Sequence, residues 1–222
     1  MIGKIPRNKV EADQDHFVEL FAIATVPRAN KNAKRFSAKL KSALKQGYDI
    51  NYMLPDDATK PGTYLGFLQG MSILHVVIQA GRGEKIPIID ELLKCGADPN
   101  LLTSDGRNAL IIAGEYFRQP EVFSKLIPLT KDINLQDKEG CTAFGNICFN
   151  LDWYGMNMPI VIDILKQLLL AGADPFLDSC WENRSEEKFV EKKKKVYQLI
   201  NQFLTQKEAV QKSDENLYDY EL

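Results

Sequence analysis

The chain has 222 residues, a formal net charge of −2 at pH 7, 45% hydrophobic and 26% charged residues. That length buries a substantial core and the composition is that of an ordinary globular chain. The balanced charge excludes any general electrostatic footprint for nucleic acid.

Residues 1–15 are polar and charged, with no apolar stretch of the kind a cleaved secretory signal needs. Residues 16–51 read as a helix pair: His16 to Val26 as the first helix, Ser37 to Gln46 as the second, ending in Gly47-Tyr48-Asp49-Ile50-Asn51. An insertion rich in Tyr, Met, Leu and Phe follows, over 52–68. Ser72-Ile73-Leu74-His75 then opens another pair, whose second helix carries Ile88, Ile89, Leu92 and Leu93 and ends in Gly96-Ala97-Asp98-Pro99-Asn100. Asn108-Ala109-Leu110-Ile111 and Thr142-Ala143-Phe144-Gly145 open two more. Their second helices carry Val122, Phe123, Leu126 and Ile127, then Ile164, Leu165, Leu168 and Leu169. Apolar pairs four residues apart give each helix one face able to stack on its neighbours. Ser185 to about Lys207 reads as a longer helix with Phe189, Val196, Ile200 and Leu204 on one face. The residues 213–222 form an acidic tail.

The punctuation recurs. The aspartates of the terminators fall at 49, 98, 132 and 174, in steps of 49, 34 and 42. Each opener follows a glycine, Gly70, Gly106 or Gly140, at one fixed distance. Glycine ends a helix without a Cβ penalty and suits the turn before the next. Ser72, Asn108 and Thr142 are residues that cap helix N-termini. Pro87, Pro120 and Pro159 sit near second-helix starts, where a missing N–H costs little.

These openers and terminators together resemble the ankyrin-repeat family, with its period of roughly 33 residues. The resemblance covers roughly residues 16–180. It implies an all-α ankyrin-repeat solenoid of stacked helix pairs with short hairpin-like turns and almost no sheet. The units are an N-terminal capping repeat (16–51), full repeats over about 63–100, 101–134 and 135–176 within an array reaching 184, and a C-terminal capping helix (185–212). It also implies a structural role for His75, bonding within and between repeats. The implied contact surface is concave, built from hairpin tips and first helices. Carried over by position, it includes Gln69, Met71 and Gln79, then Leu102, Ser104, Asp105, Arg107, Glu115 and Tyr116. In the third full repeat it includes Gln136, Lys138, Glu139, Phe149 and Asn150.

A second insertion, 149–159, separates the two helices of the third full repeat and contains Trp153 and Tyr154. Insertions in repeat arrays go to loops, often on a binding face, and aromatic residues are enriched at interfaces. Both insertions can equally fold back and shield their own repeats. The expected partner-binding set is therefore Met71, Gln79, Leu102, Asp105, Arg107, Glu115, Tyr116, Lys138, Phe149, Trp153 and Tyr154.

Other chemistry is scarce. Cys95, Cys141, Cys148 and Cys180 form no C-x-x-C pair, and His16 and His75 are the sole histidines, so no metal site is expected. Scattered, unpaired cysteines fit a reducing cytosol, and Cys141 and Cys148 read as core residues. No phosphate-binding glycine loop, G-x-S-x-G or H-E-x-x-H occurs, so the expectation is no enzyme and no cofactor. The longest apolar stretch, 160–173, is interrupted by Asp163, Lys166 and Gln167 and is too short to span a bilayer. The basic run Lys192–Lys195 lies in a predicted helix with acidic neighbours and reads as a solvated face. The functional expectation is a cytoplasmic module, monomeric when unbound, that binds another protein. The Lys-, Asn- and Ile-rich usage and acidic tail suggest a bacterial effector acting in a host cytoplasm. A eukaryotic scaffold or inhibitor subunit is the main alternative, and a non-catalytic accessory domain of an enzyme is a further one.

Overall fold

The computed structural model describes residues 9–25, 29–55, 68, 70–80, 85–116, 119–150, 158–177, 194, 196–203 and 205. Among them the regular structure is helical, with one isolated antiparallel bridge between Met53 and Ser72. The helices are α1 (Lys9–Thr25), α2 (Ala29–Lys45), α3 (Ile73–Gln79), α4 (Ile86–Lys94), α5 (Ala109–Tyr116), α6 (Pro120–Leu126), α7 (Ala143–Phe149) and α8 (Met158–Leu170). Residues 196–203 form a further helix, α9.

They pack as pairs in two layers. The first helices stack in chain order, α1 on α3, α3 on α5 and α5 on α7. The second helices lie behind them, with α2 on α4 and α6 on α8. The two layers share one continuous core. α3 is buried from Ile73 through Ile78 and α5 from Ala109 through Gly114, because each is sandwiched between neighbours on both sides and backed by its own partner helix. The second helices bury one face only: Ile88, Ile89 and Leu92 in α4, then Val122, Phe123 and Leu126 in α6. In α8 the buried residues are Val161, Ile164, Leu165, Leu168 and Leu169. Close approach is built in where α5 meets α7, since a Cβ on Gly114 would lie 2.5 Å from the Ala143 carbonyl oxygen.

Helices α3, α5 and α7 start where the sequence places their caps. Ser72 accepts from His75 N–H at 3.4 Å, Asn108 Oδ1 from Ile111 N–H at 2.9 Å, and Thr142 Oγ1 from Gly145 N–H at 3.0 Å. Each satisfies a donor that the first helical turn leaves without a partner. The glycine before each opener turns the chain with positive φ. At Gly70 (φ 65°) the need is also spatial, because a Cβ would lie 1.9 Å from Ser104 Oγ on the next turn.

The recurring aspartates close a local turn. Asp49, Asp98, Asp132 and Asp174 each accept the N–H two residues on, at 2.8–2.9 Å. The residue two after the aspartate ties consecutive units together. Asn51 Oδ1 accepts from Asp98 N–H, Asn100 Oδ1 from Lys131 N–H and Asn134 Oδ1 from Asp174 N–H, each at 2.8 Å. Their amides donate back to the Gly96, Leu129 and Gly172 carbonyls. The same two-bond clamp thus closes three junctions although the sequence steps between them differ. At the fourth position stands Phe176, which has no amide and stacks instead on Tyr197 of α9, with ring centroids 5.8 Å apart and planes 9° apart. The ladder therefore ends there. At the other end Asp13 Oδ1 on α1 accepts from Asp49 N–H at 3.1 Å.

Several expectations are corrected. α1 begins at Lys9, so the expected polar segment over 1–15 contributes its second half to the first helix. Asp13 lacks an apolar signature but is buried by its bonds to Lys9 and to Asp49 N–H. α2 begins at Ala29, well before Ser37. α6 stops at Leu126, and Ile127–Leu129 tighten into a 3₁₀ turn around Pro128, which cannot supply an N–H to continue the helix. Leu93 is only partly buried, because Leu92 and not Leu93 points to the core centre. Most important, Cys141 is disulfide-bonded, whereas Cys95 and Cys148 are not. Spacing along the chain does not reveal proximity in space, so the expectation that all four cysteines are unpaired does not stand. Val196 and Ile200 of α9 are buried as expected; Phe189, Leu204, the tail 213–222 and the basic run apart from Lys194 lie outside the described residues.

Candidate functional site

The turns before α5 and α7 share one construction. Gly106 N–H donates to Thr103 O and Gly140 N–H to Asp137 O, at 2.8 and 3.0 Å. The side chain three before each glycine then accepts the N–H just after it, Thr103 Oγ1 from Arg107 at 3.2 Å and Asp137 Oδ1 from Cys141 at 2.9 Å. The two tips are locked side by side by Lys138 N–H donating to Asp105 O at 2.9 Å. Behind these tips the ends of α5 and α7 run in register.

Between them lies a polar cleft of about 440 Å³, within the range of ligand pockets. Asp105, Arg107, Glu115, Asp137, Lys138, Glu139, Cys141, Asn146, Phe149 and Asn150 line it. Five members of the expected binding set, Asp105, Arg107, Glu115, Lys138 and Phe149, are thus brought to one place. Arg107 holds one wall. Its Nη1 donates to Glu115 at 2.7 Å and its Nη2 to Asp105 at 2.7 Å, while Nε is buried with no acceptor among the described residues. Burial works against the guanidinium's charge, but the two carboxylates outweigh it and hold Arg107 above its ordinary range.

The partly buried Tyr116 hydroxyl faces the Glu115 carboxylate and the Gln79 amide; burial, then Glu115, push it above its ordinary value. Glu115, Arg107 and Asp105 form one bonded polar line from the end of α5 to the turn before it. Leu102, 49% exposed, stands on the turn before α5. Met71 is corrected: it is 4% exposed and belongs to the core, because Leu54 N–H donates to its carbonyl and draws the strand-like segment over it. Trp153 and Tyr154 lie outside the described residues, as does Gln69.

Sequence reasoning passed over Asp137 and Asn146. Asp137 was legible as the acceptor three residues before Gly140, matching Thr103 before Gly106. Asn146 carries no such signal, since a polar residue in the middle of a short apolar helix is placed only by packing.

His75 sits apart from this cleft at the centre of the stack, fully buried. Its Nδ1 accepts from Ser72 N–H at 3.1 Å, so the proton rests on Nε2, which donates to Leu101 O at 3.0 Å. Burial, the largest cause, lowers its pKa from 6.5 to about 4. Among the described residues, no group of three or more His, Cys, Asp or Glu is placed to hold a metal ion, and no helix is long and apolar enough to cross a membrane.

Stacked helix pairs with a polar cleft across two of their turns define the class of protein described here. No protein-family model matches the chain, and no curated protein matches it in sequence.

Proposed function

We propose that this chain is an ankyrin-type repeat module that binds another protein through the turn tips and first-helix ends of the units containing α5 and α7. One observation carries the reading: Arg107, bonded at 2.7 Å to both Glu115 and Asp105, forms a wall of the 440 Å³ cleft between the two turn tips. Charged side chains are held in fixed positions at a surface concavity. A rigid stack presents such a surface with little ordering cost on binding. The family assignment is supported by the opener and terminator motifs, by the two-layer stacking of helix pairs and by the repeated asparagine clamps.

The test is affinity capture with the full chain as bait, followed by calorimetric titration of each recovered partner against wild type, Tyr116→Ala and Arg107→Ala. If either residue is an energetic hot spot, its truncation weakens binding by about 2 kcal/mol or more. Unchanged far-UV dichroism must accompany the loss. A partner whose affinity is indifferent to both variants moves the binding site elsewhere. Failure to recover any partner whose binding saturates defeats the protein-binding reading.

A further inference from the structure

We infer that the cleft between the turns before α5 and α7 receives a cationic side chain, an arginine or lysine in an exposed segment of a partner protein. This rests on the protein-binding reading above and names the chemistry of the partner.

Charge comes first. Four carboxylates, Asp105, Glu115, Asp137 and Glu139, and two cations, Arg107 and Lys138, line the cleft. Arg107 is spent on two of the carboxylates. Asp137 and Glu139 make no ion pair with any described residue, and Lys138, exposed at the tip, offsets only one of them. With Arg107 shared between two acids, the cleft retains a surplus of negative charge, which favours a cation by field as well as by contact.

The floor gives the second, independent observation. Asn146 is 7% exposed, lines the cleft, and its side-chain amide makes no hydrogen bond to any described residue. Asn150, 8% exposed and one turn later on the same face, donates its amide to Asn146 O at 2.9 Å and leaves its own Oδ1 without a donor. The residues are almost wholly buried, so their side-chain atoms reach solvent only through the cleft. These atoms, without a partner among the described residues, line an accessible cavity, so an entering ligand can bond to them. A guanidinium or ammonium group supplies the donors that amide carbonyl oxygens lack, while its charge faces Asp137 and Glu139. An anionic side chain would meet Lys138 but would lie against the surplus carboxylates.

The test uses isotope-labelled full-length protein titrated with Nα-acetyl-arginine amide, with Nα-acetyl-glutamate amide and Nα-acetyl-glycine amide as controls. The arginine probe is expected to shift the side-chain amide signals of Asn146 and Asn150 saturably, and the controls are not. The variant Asp137→Asn/Glu139→Gln keeps the Asp137 Oδ1 acceptor of the turn and removes both charges. It should weaken the arginine probe by about fivefold, consistent with two exposed charge contacts. In the second arm, a partner recovered as described above should lose affinity for the same variant, and for wild type when its own basic residues at the contact are replaced by glutamine. Shifts from glutamate and none from arginine would overturn the inference. So would absence of any shift together with a partner that binds the variant as tightly as wild type, an outcome that leaves the protein-binding reading standing. If no partner is recovered, the protein-binding reading fails, and the probe titration still decides the preference of the cleft.

Discussion

Lowering the pH should unfold this protein in part through His75. The imidazole is fully buried and holds its neighbours in the neutral form: Nδ1 accepts from Ser72 N–H, and Nε2 donates to the Leu101 carbonyl of the following unit. Protonation would place a hydrogen on Nδ1, against a donor 3.1 Å away. Burial, opposed in part by the Leu101 carbonyl and reinforced by Arg107, brings its pKa from 6.5 to about 4. The folded value is the lower one, so between these limits the unfolded chain binds the proton that the native state refuses. Stability is therefore complete above pH 6.5 and is lost as pH falls toward 4. One pKa unit corresponds to about 1.36 kcal/mol, so the full contribution is about 3 kcal/mol, and about 2.5 kcal/mol of it disappears between pH 7 and pH 4.5. That is a large share of the roughly 5–15 kcal/mol that holds a domain together. Urea unfolding of wild type and His75→Gln at both pH values isolates the term, because the titrating carboxylates are common to the two proteins. Wild type should lose about 2.5 kcal/mol more than the variant over this interval. Parallel losses, or a native-state imidazole that titrates near pH 6.5 by NMR, would refute the reasoning.

Asn100→Ala removes both bonds of the central clamp, and about 1–2 kcal/mol of stability should go with them in denaturant unfolding; an unchanged midpoint would reduce the clamp to a surface ornament. Leu92→Ala in α4 and Leu168→Ala in α8 empty fully buried sites and should each cost about 2–5 kcal/mol, whereas the partly buried Leu93 should cost less. Equal costs at Leu92 and Leu93 would show that the burial of α4 is misassigned. Gly114→Ala places a methyl 2.5 Å from the Ala143 carbonyl oxygen and should lower stability by about 1–3 kcal/mol, since backbone and not a side-chain tip must yield. A neutral or raised melting temperature for that variant would mean that α5 and α7 separate freely.

Much of the architecture was legible along the chain because it depends on local chemistry. The caps Ser72, Asn108 and Thr142, the turn glycines and the apolar faces of α4, α6 and α8 act within a few residues of themselves, so their signals survive in sequence. The helix starts at Lys9 and Ala29 were not legible, since α1 and α2 begin in polar stretches that only tertiary contacts such as Asp13 to Asp49 hold in place. Likewise the asparagines at 51, 100 and 134 carry no signal along the chain of the bonds that their side chains make to the neighbouring unit. Phe176 in the fourth such place reads as an ordinary substitution until the stack shows that it ends the ladder. The candidate site divides in the same way. The turn-tip charges Asp105, Arg107 and Lys138 could be named from position within the motif, because each motif fixes its own tip. Their convergence with Asn146 and Asn150, the burial of Met71 and the bonding of Cys141 depend on how separate units pack, and distances across a packed interface leave no mark on the spacing of residues in the chain.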